Sequence, residues 1–150
     1  MIAIGSDHAG YSLKNTVKEH LRKKGLEFID FGPDSEDSVD FPDFAEKTAN
    51  SIQCGQCDRG ILICGTGIGM SIAANKFDGI RAALCTTEFH ARLSRQHNNS
   101  NILALGSRVT GVDLALSIVD EWLSTDYLGG KYERRNIKIQ QLEQKAGKED

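Results

Sequence analysis

With 18 Lys and Arg against 21 Asp and Glu, this chain of 150 residues carries a net charge of −3, which gives it no long-range attraction to nucleic acid or to an anionic membrane surface. Its length is that of a single domain, which buries about two thirds of the surface its unfolded chain exposes and needs no disulfide or metal staple. No apolar run approaches the roughly 20 residues of a membrane span, and the start MIAIGSDH lacks the basic residues and long apolar centre of a signal peptide, so a cytoplasmic protein with reduced thiols at Cys54, Cys57, Cys64 and Cys85 is expected.

In chain order, the first β-rich run is IAIGS. A helical stretch follows from near Tyr11, in which Leu13, Val17 and Leu21 recur every four residues until Gly25 stops it. LEFIDF reads as the second strand. The segment GPDSEDSVDFPDF, Gly32 to Phe44, holds both prolines of the chain and reads as a long loop, a kind more often functional than accidental. GILIC, IRAALC and NILALG supply three further strands with helical stretches between them. Phe89, Leu93 and His97 form one stripe, and Val112, Ala115, Leu116, Val119, Trp122 and Leu123 trace one apolar face of a later helix. From Tyr132 to about Lys145, YERRNIKIQQLEQK predicts a last helix too polar to be central, lying across a surface or a partner subunit. Strands alternating with helices predict one domain over 1–150: a three-layer α/β/α, Rossmann-like fold with a five-stranded parallel sheet in the common order 2-1-3-4-5 and an extra C-terminal helix.

Ligands of such sheets sit beyond the carboxyl ends of the strands, where the strand order reverses, here between strands 1 and 3. That makes neighbours of SDH, Ser6 to His8, and CGTGIGMS, Cys64 to Ser71. The glycines at 65, 67 and 69 let backbone amides converge on one point, and the helix that follows adds its positive end, so the loop suits a small anion or a developing oxyanion. A nucleotide fits less well: the Walker pattern needs Gly-Lys-Ser/Thr where this loop has Gly69-Met70-Ser71, and the dinucleotide pattern is GxGxxG after the first strand.

Taken singly, each residue has a plainer reading. Cys64 can be a buried inert thiol, although a helix start beside it favours a thiolate. Asp7 and His8 can cap the helix near Tyr11, His97 can cap a helix end, and Arg108 can be an ordinary loop charge. Lys131, Arg134, Arg135 and Lys138 can be a solvated face. Cys54 and Cys57 form a lone CxxC without partners at zinc-finger spacing, which reads as turn chemistry.

Together, GSDHAGYSLK, SVDFPDF, CDRGILICGTGIGMSIAANKFDGIRAALC, SRQHNNSNILALGSRV and LGGKYERR, in this order and spacing, resemble the ribose-5-phosphate isomerase B family, which includes galactose-6-phosphate isomerase subunits. The match runs from residue 1 to about residue 143. The resemblance implies an aldose–ketose isomerase of the pentose phosphate pathway, interconverting ribose 5-phosphate and ribulose 5-phosphate through a cis-enediolate without metal or organic cofactor. It implies Cys64 as the base that moves the carbon-bound proton, with Thr66 and the amides of Gly65, Gly67 and Gly69 stabilising the enediolate oxygens. Asp7 and His97 would assist ring opening, Asn98 would bind sugar hydroxyls, and His8, Arg108, Lys131 and Arg135 would surround the phosphate. It also implies a homodimer, or a dimer of dimers, with active sites shared between chains.

Three positions depart from the family pattern. Met70 stands where some members carry a glutamate base, Phe41 where many have tyrosine, and Lys131 where GGR is common, so a point charge replaces a bidentate fork. A 6-phosphohexose such as allose 6-phosphate or galactose 6-phosphate is the alternative substrate. A redox module built on Cys64 or the CxxC, and a non-catalytic sugar-phosphate-binding module, are the readings of a different class.

Overall fold

The computed structural model of the protein describes residues 1–147. The chain alternates β1 (Ile2–Ser6), α1 (Tyr11–Lys23), β2 (Phe28–Asp30), α2 (Phe41–Gln53), β3 (Arg59–Cys64), α3 (Ile68–Ala74), β4 (Ala82–Leu84), α4 (Glu88–Asn98), β5 (Ile102–Gly106) and α5 (Val112–Ser124), and ends with α6 (Lys131–Ala146). All five strands are parallel, as expected from the alternation of short apolar runs with helices.

The expected strand order needs one correction: the sheet runs β2-β1-β3-β5-β4, with the last two strands exchanged. β5 is five residues long and buried throughout, and it pairs with β3 from Gly60↔Ile102 to Cys64↔Gly106, whereas β4 has three half-buried residues and takes the edge. The longer apolar strand gains more from having both faces covered. The reversal between β1 and β3 is unaffected.

Side-chain alternation divides the core between the two faces of the sheet. Ile2, Ile4, Ile61, Ile63, Leu103 and Leu105 pack with Leu13, Val17 and Leu21 of α1 and with Ala115, Ile118, Val119 and Trp122 of α5. Leu62, Cys64 and Ile102 face Phe44, Ala45 and Ala49 of α2 and Met70 and Ala74 of α3. Truncating any of the fully buried leucines or isoleucines to alanine would cost about 2–5 kcal/mol.

Two local readings change and a third gains detail. Helix α2 starts at Phe41, with Pro42 in its first turn where a missing N–H costs nothing, so the loop ends at Asp40 rather than Phe44. On α5 Ile118 joins Ala115, Val119 and Trp122 as a buried residue, while Val112, at the helix start, is half exposed. The stripe of Phe89, Leu93 and His97 is not the core face of α4, which is formed by Ala91, Ser94 and Arg95. Arg95 stays buried because its guanidinium donates to the carbonyls of Ser100 and Thr125 and lies over Trp122. Helix α6 buries none of its side chains.

Candidate active site

Two strand ends and one loop build the first part of the site. After β1 the Asp7 amide donates to the Ile63 carbonyl at 3.1 Å, which ties the turn to β3. The buried Asp7 carboxylate accepts from the Gly10 amide at 2.9 Å, so one of its oxygens orders the turn into α1. A side chain at Gly10 is impossible, since a Cβ there would lie 2.4 Å from the Ile63 oxygen. His8 accepts at Nδ1 from the Val39 amide at 3.2 Å, which brings in the loop after β2.

Cys64 ends β3, 5% exposed, and its sulfur accepts from the Gly67 amide at 3.1 Å. Gly67 makes that contact in a left-handed conformation, φ 79°, and a Cβ there would come within 2.5 Å of Leu84 and 2.9 Å of the Leu105 backbone. The loop is clamped against the end of β5: the Ser107 amide donates to the Cys64 carbonyl at 2.9 Å and the Arg108 amide to the Gly65 carbonyl at 2.9 Å. The Arg108 guanidinium consequently lies over Gly65, where a Cβ would sit 3.3 Å from Nη1. Exposed Thr66 accepts at Oγ1 from the Ile68 amide at 3.2 Å, and Gly69 lies under the half-exposed ring of Phe41, 2.8 Å from where a Cβ would be. Met70 of α3 is fully buried against α2 and presents no polar group to the loop surface.

A hollow of about 260 Å³ adjoins this cluster, passing Ala9, Ser12, Ser107, Arg108 and Val112. A roomier one of about 520 Å³ runs along the outer side of α1 past Tyr11, Asn15 and His20 and contains none of the candidate residues, so volume does not locate the chemistry.

The remaining candidates gather elsewhere. His97 stacks on Tyr132, ring centroids 4.1 Å apart and planes 10° apart. Lys131 Nζ lies 5.3 Å and the Arg135 guanidinium carbon 5.9 Å from the centre of the same ring. The Asn136 side chain donates to the His97 carbonyl at 2.9 Å, and the exposed Asn98 gives its carbonyl to Arg81 Nε at 3.1 Å. Because α4 leads back from the end of β4 to the start of β5, this second group lies near the amino ends of the strands, opposite the carboxyl end where Cys64 sits. The sequence reading did not single out Tyr132; its signal is the aromatic set between two cations in KYERR.

The other cysteines stand apart. Cys85 is buried, and burial, only partly offset by its contact with Ser94, pushes its thiol up to about 11. Cys54 is the C-cap of α2 and precedes Gly55 at φ 77°, and Cys57 is buried. Among the described residues no group of three or more His, Cys, Asp and Glu is placed to hold a metal ion, and no helix is long and apolar enough to cross a membrane.

Residues 2–139 match the family model described as Ribose/Galactose Isomerase. The chain is 50% identical over 144 residues to ribose-5-phosphate isomerase B of Escherichia coli, covering 96% of this chain and 97% of that one. It superposes on a Clostridium thermocellum ribose-5-phosphate isomerase B with TM-score 0.96 and 56% identity, covering 97% and 98% of the two chains. A Mycoplasma genitalium ribose-5-phosphate isomerase B with bound ribulose-5-phosphate matches with TM-score 0.91 and 43% identity over 95% of each chain. With near-complete coverage on both sides and a glycine loop built around a strand-end cysteine, this chain belongs to the ribose/galactose isomerase family.

Proposed function

We propose that the protein is an aldose–ketose isomerase interconverting ribose 5-phosphate and ribulose 5-phosphate. The observation that carries this reading is the Cys64 sulfur at the carboxyl end of β3, 3.1 Å from the Gly67 amide and set in a glycine loop that leaves backbone close to a ligand. Cys64 takes the proton from C2 of the open aldose and returns it to C1, while the proton on O2 passes to O1 across the enediolate. The charge that builds on O1 and O2 of the cis-enediolate is met by the loop from Gly65 to Gly69 and by Thr66. Asp7 and His97 serve the opening of the furanose ring, and Asn98 binds sugar hydroxyls. His8, Arg108, Lys131 and Arg135 hold the phosphate, whose binding energy keeps C1 and C2 over the sulfur.

The working unit in this proposal is a homodimer in the cytosol, each site combining Cys64 of one copy with His97, Asn98, Lys131 and Arg135 of the other. What supports the sharing is the separation of the two groups to opposite ends of the sheet's strands. Half-exposed Ile68 and Ile72 on α3 and Ile137, Ile139 and Leu142 on α6 offer apolar surface for such an association.

Turnover of ribose 5-phosphate, allose 6-phosphate and galactose 6-phosphate by one purified sample tests the substrate. Ribose 5-phosphate should give the highest kcat/KM, and preference for either hexose phosphate would replace the pentose assignment. Binding without conversion of any of the three would leave a sugar-phosphate-binding module.

A further inference from the structure

Lys14 is fully buried, on the same side of α1 as Leu13, Val17 and Leu21, although an ammonium taken from water is costly to bury unless it is paired and hydrogen-bonded. Its Nζ donates to Asp30 Oδ1 at 2.8 Å and to the Pro33 carbonyl at 2.6 Å, and lies 5.4 Å from the centre of the Tyr11 ring. Asp30 has other partners besides it: Lys18 holds the other carboxylate oxygen at 2.5 Å, and the Gly32 amide donates to Oδ1 at 2.9 Å. Burial pushes the Asp30 carboxyl up, but the hydrogen bonds from Lys14, Lys18 and Gly32 outweigh it and hold the group below the usual carboxylate range. The contact that Lys14 alone supplies is the one to Pro33.

Pro33 opens the loop that reaches the site. Just before it, Gly32 is tied to β1 by the Ser6 amide at 3.0 Å; just after it, the Asp34 carbonyl accepts from the Tyr11 hydroxyl at 3.1 Å. Residues 34–38 are all exposed, and the loop next touches the body of the protein at Val39, whose amide donates to His8 Nδ1 at 3.2 Å. A ring nitrogen that accepts from an amide carries no proton, so the neutral imidazole of His8 bears its hydrogen on Nε2 and has that nitrogen free to donate. Where Val39 sits therefore decides which nitrogen of His8 is the donor.

We propose that Lys14 is a positioning residue: by gripping the Pro33 carbonyl it sets the path of residues 33–39, and through the Val39 amide it fixes His8 as an Nε2–H donor for the phosphate of the substrate. The phosphate rests on the isomerase reading; the tautomer is a property of the free protein.

Lys14→Met keeps the length of the side chain, removes its charge and donors, and leaves Asp30 with Lys18 and Gly32. The test reads ¹⁵N–¹H spectra of histidine-labelled protein at about pH 8, where an ordinary histidine is neutral, with the His8 signals assigned by their loss in His8→Gln. Wild type should show His8 as the Nε2–H tautomer. Lys14→Met should show a mixture of tautomers, and its KM for ribose 5-phosphate should rise about tenfold with kcat changed by less than about twofold, the split expected when a remote binding group is misplaced. Lys14→Gln, which retains an N–H donor, should fold even where Lys14→Met does not, and should fall between the two on both readouts. Either variant folded, with His8 still held as Nε2–H and KM unchanged, overturns the proposal; a fall in kcat with KM unchanged overturns it too. If wild type converts no ribose 5-phosphate, the functional reading fails while the tautomer still decides the role of Lys14.

Discussion

Cys64 closes β3 at the carboxyl end of the strands, and His97 lies in the last turn of α4, which leads into the amino end of β5, so the two stand at opposite ends of the sheet's strands. The 11 residues of α4 alone span about 16 Å at 1.5 Å per residue. That separation within one chain is why the proposed site combines Cys64 of one copy with His97 of the other.

Mixing two inactive variants tests the shared site. Cys64→Ser and His97→Asn homodimers should each be nearly inactive, every site having lost one acid–base group. With random exchange about half the dimers are hybrids, each with one native site of two, so about a quarter of wild-type activity should return. Native mass spectrometry checks that hybrids have formed; hybrids without recovered activity would mean that both residues act within one chain.

Cys64→Ser should leave the fold intact and lower kcat by about a hundredfold or more, the usual loss when a positioned base is removed. Iodoacetamide at about pH 8 should modify Cys64 ahead of Cys85, whose thiol burial holds at about 11, and saturating ribose 5-phosphate should protect Cys64. Peptide mass spectrometry reads both. Cys85 labelled first would contradict the assignment.

Arg135→Ala should raise KM for ribose 5-phosphate by about tenfold or more and leave the slow reaction of unphosphorylated ribose nearly unchanged, since only the phosphate contact is lost. Steady-state kinetics on both sugars checks this, and equal losses would assign Arg135 a structural role. Lys131→Arg should lower KM by supplying a bidentate fork.

Asp30 makes stability depend on acid. Its carboxyl lies below the ordinary value when folded, so its contribution is complete above the unfolded value of about 3.9 and is lost as pH falls through the folded one. Urea midpoints between about pH 2 and 6 should fall on acidification in wild type and less steeply in Asp30→Asn. At neutral pH the variant should be about 3 kcal/mol less stable, because Lys14 stays buried with a weaker partner.

Much of this was legible locally, and what was not depended on distant packing. IAIGS, GILIC and NILALG are continuous apolar runs, the pattern of strands covered on both faces, and they became β1, β3 and β5. The exchange of β4 and β5 has no local signal, because it reflects which strand gains more from a central place. The stripe of Phe89 and Leu93 did not reveal that the core face of α4 includes Arg95, which stays buried through distant carbonyls of Ser100 and Thr125 and the ring of Trp122. The loop at Cys64 could be read as a small-anion site from its glycines at a strand end, whereas the role of its cysteine rested on the family resemblance. Tyr132 stacked on His97, and Lys14 reaching Pro33, join segments far apart in the chain, and no periodicity reports such a contact.

Ribose 5-phosphate followed by NMR in D2O with the wild-type protein and with Cys64→Ser tests the central claim most directly. A proton taken from C2 by the Cys64 sulfur, exchanged there with solvent and returned to C1, should give ribulose 5-phosphate carrying deuterium at C1, with both conversion and label lost in Cys64→Ser. Unchanged ribose 5-phosphate after prolonged incubation with wild type, or conversion by Cys64→Ser at the wild-type rate, would contradict proton transfer by Cys64.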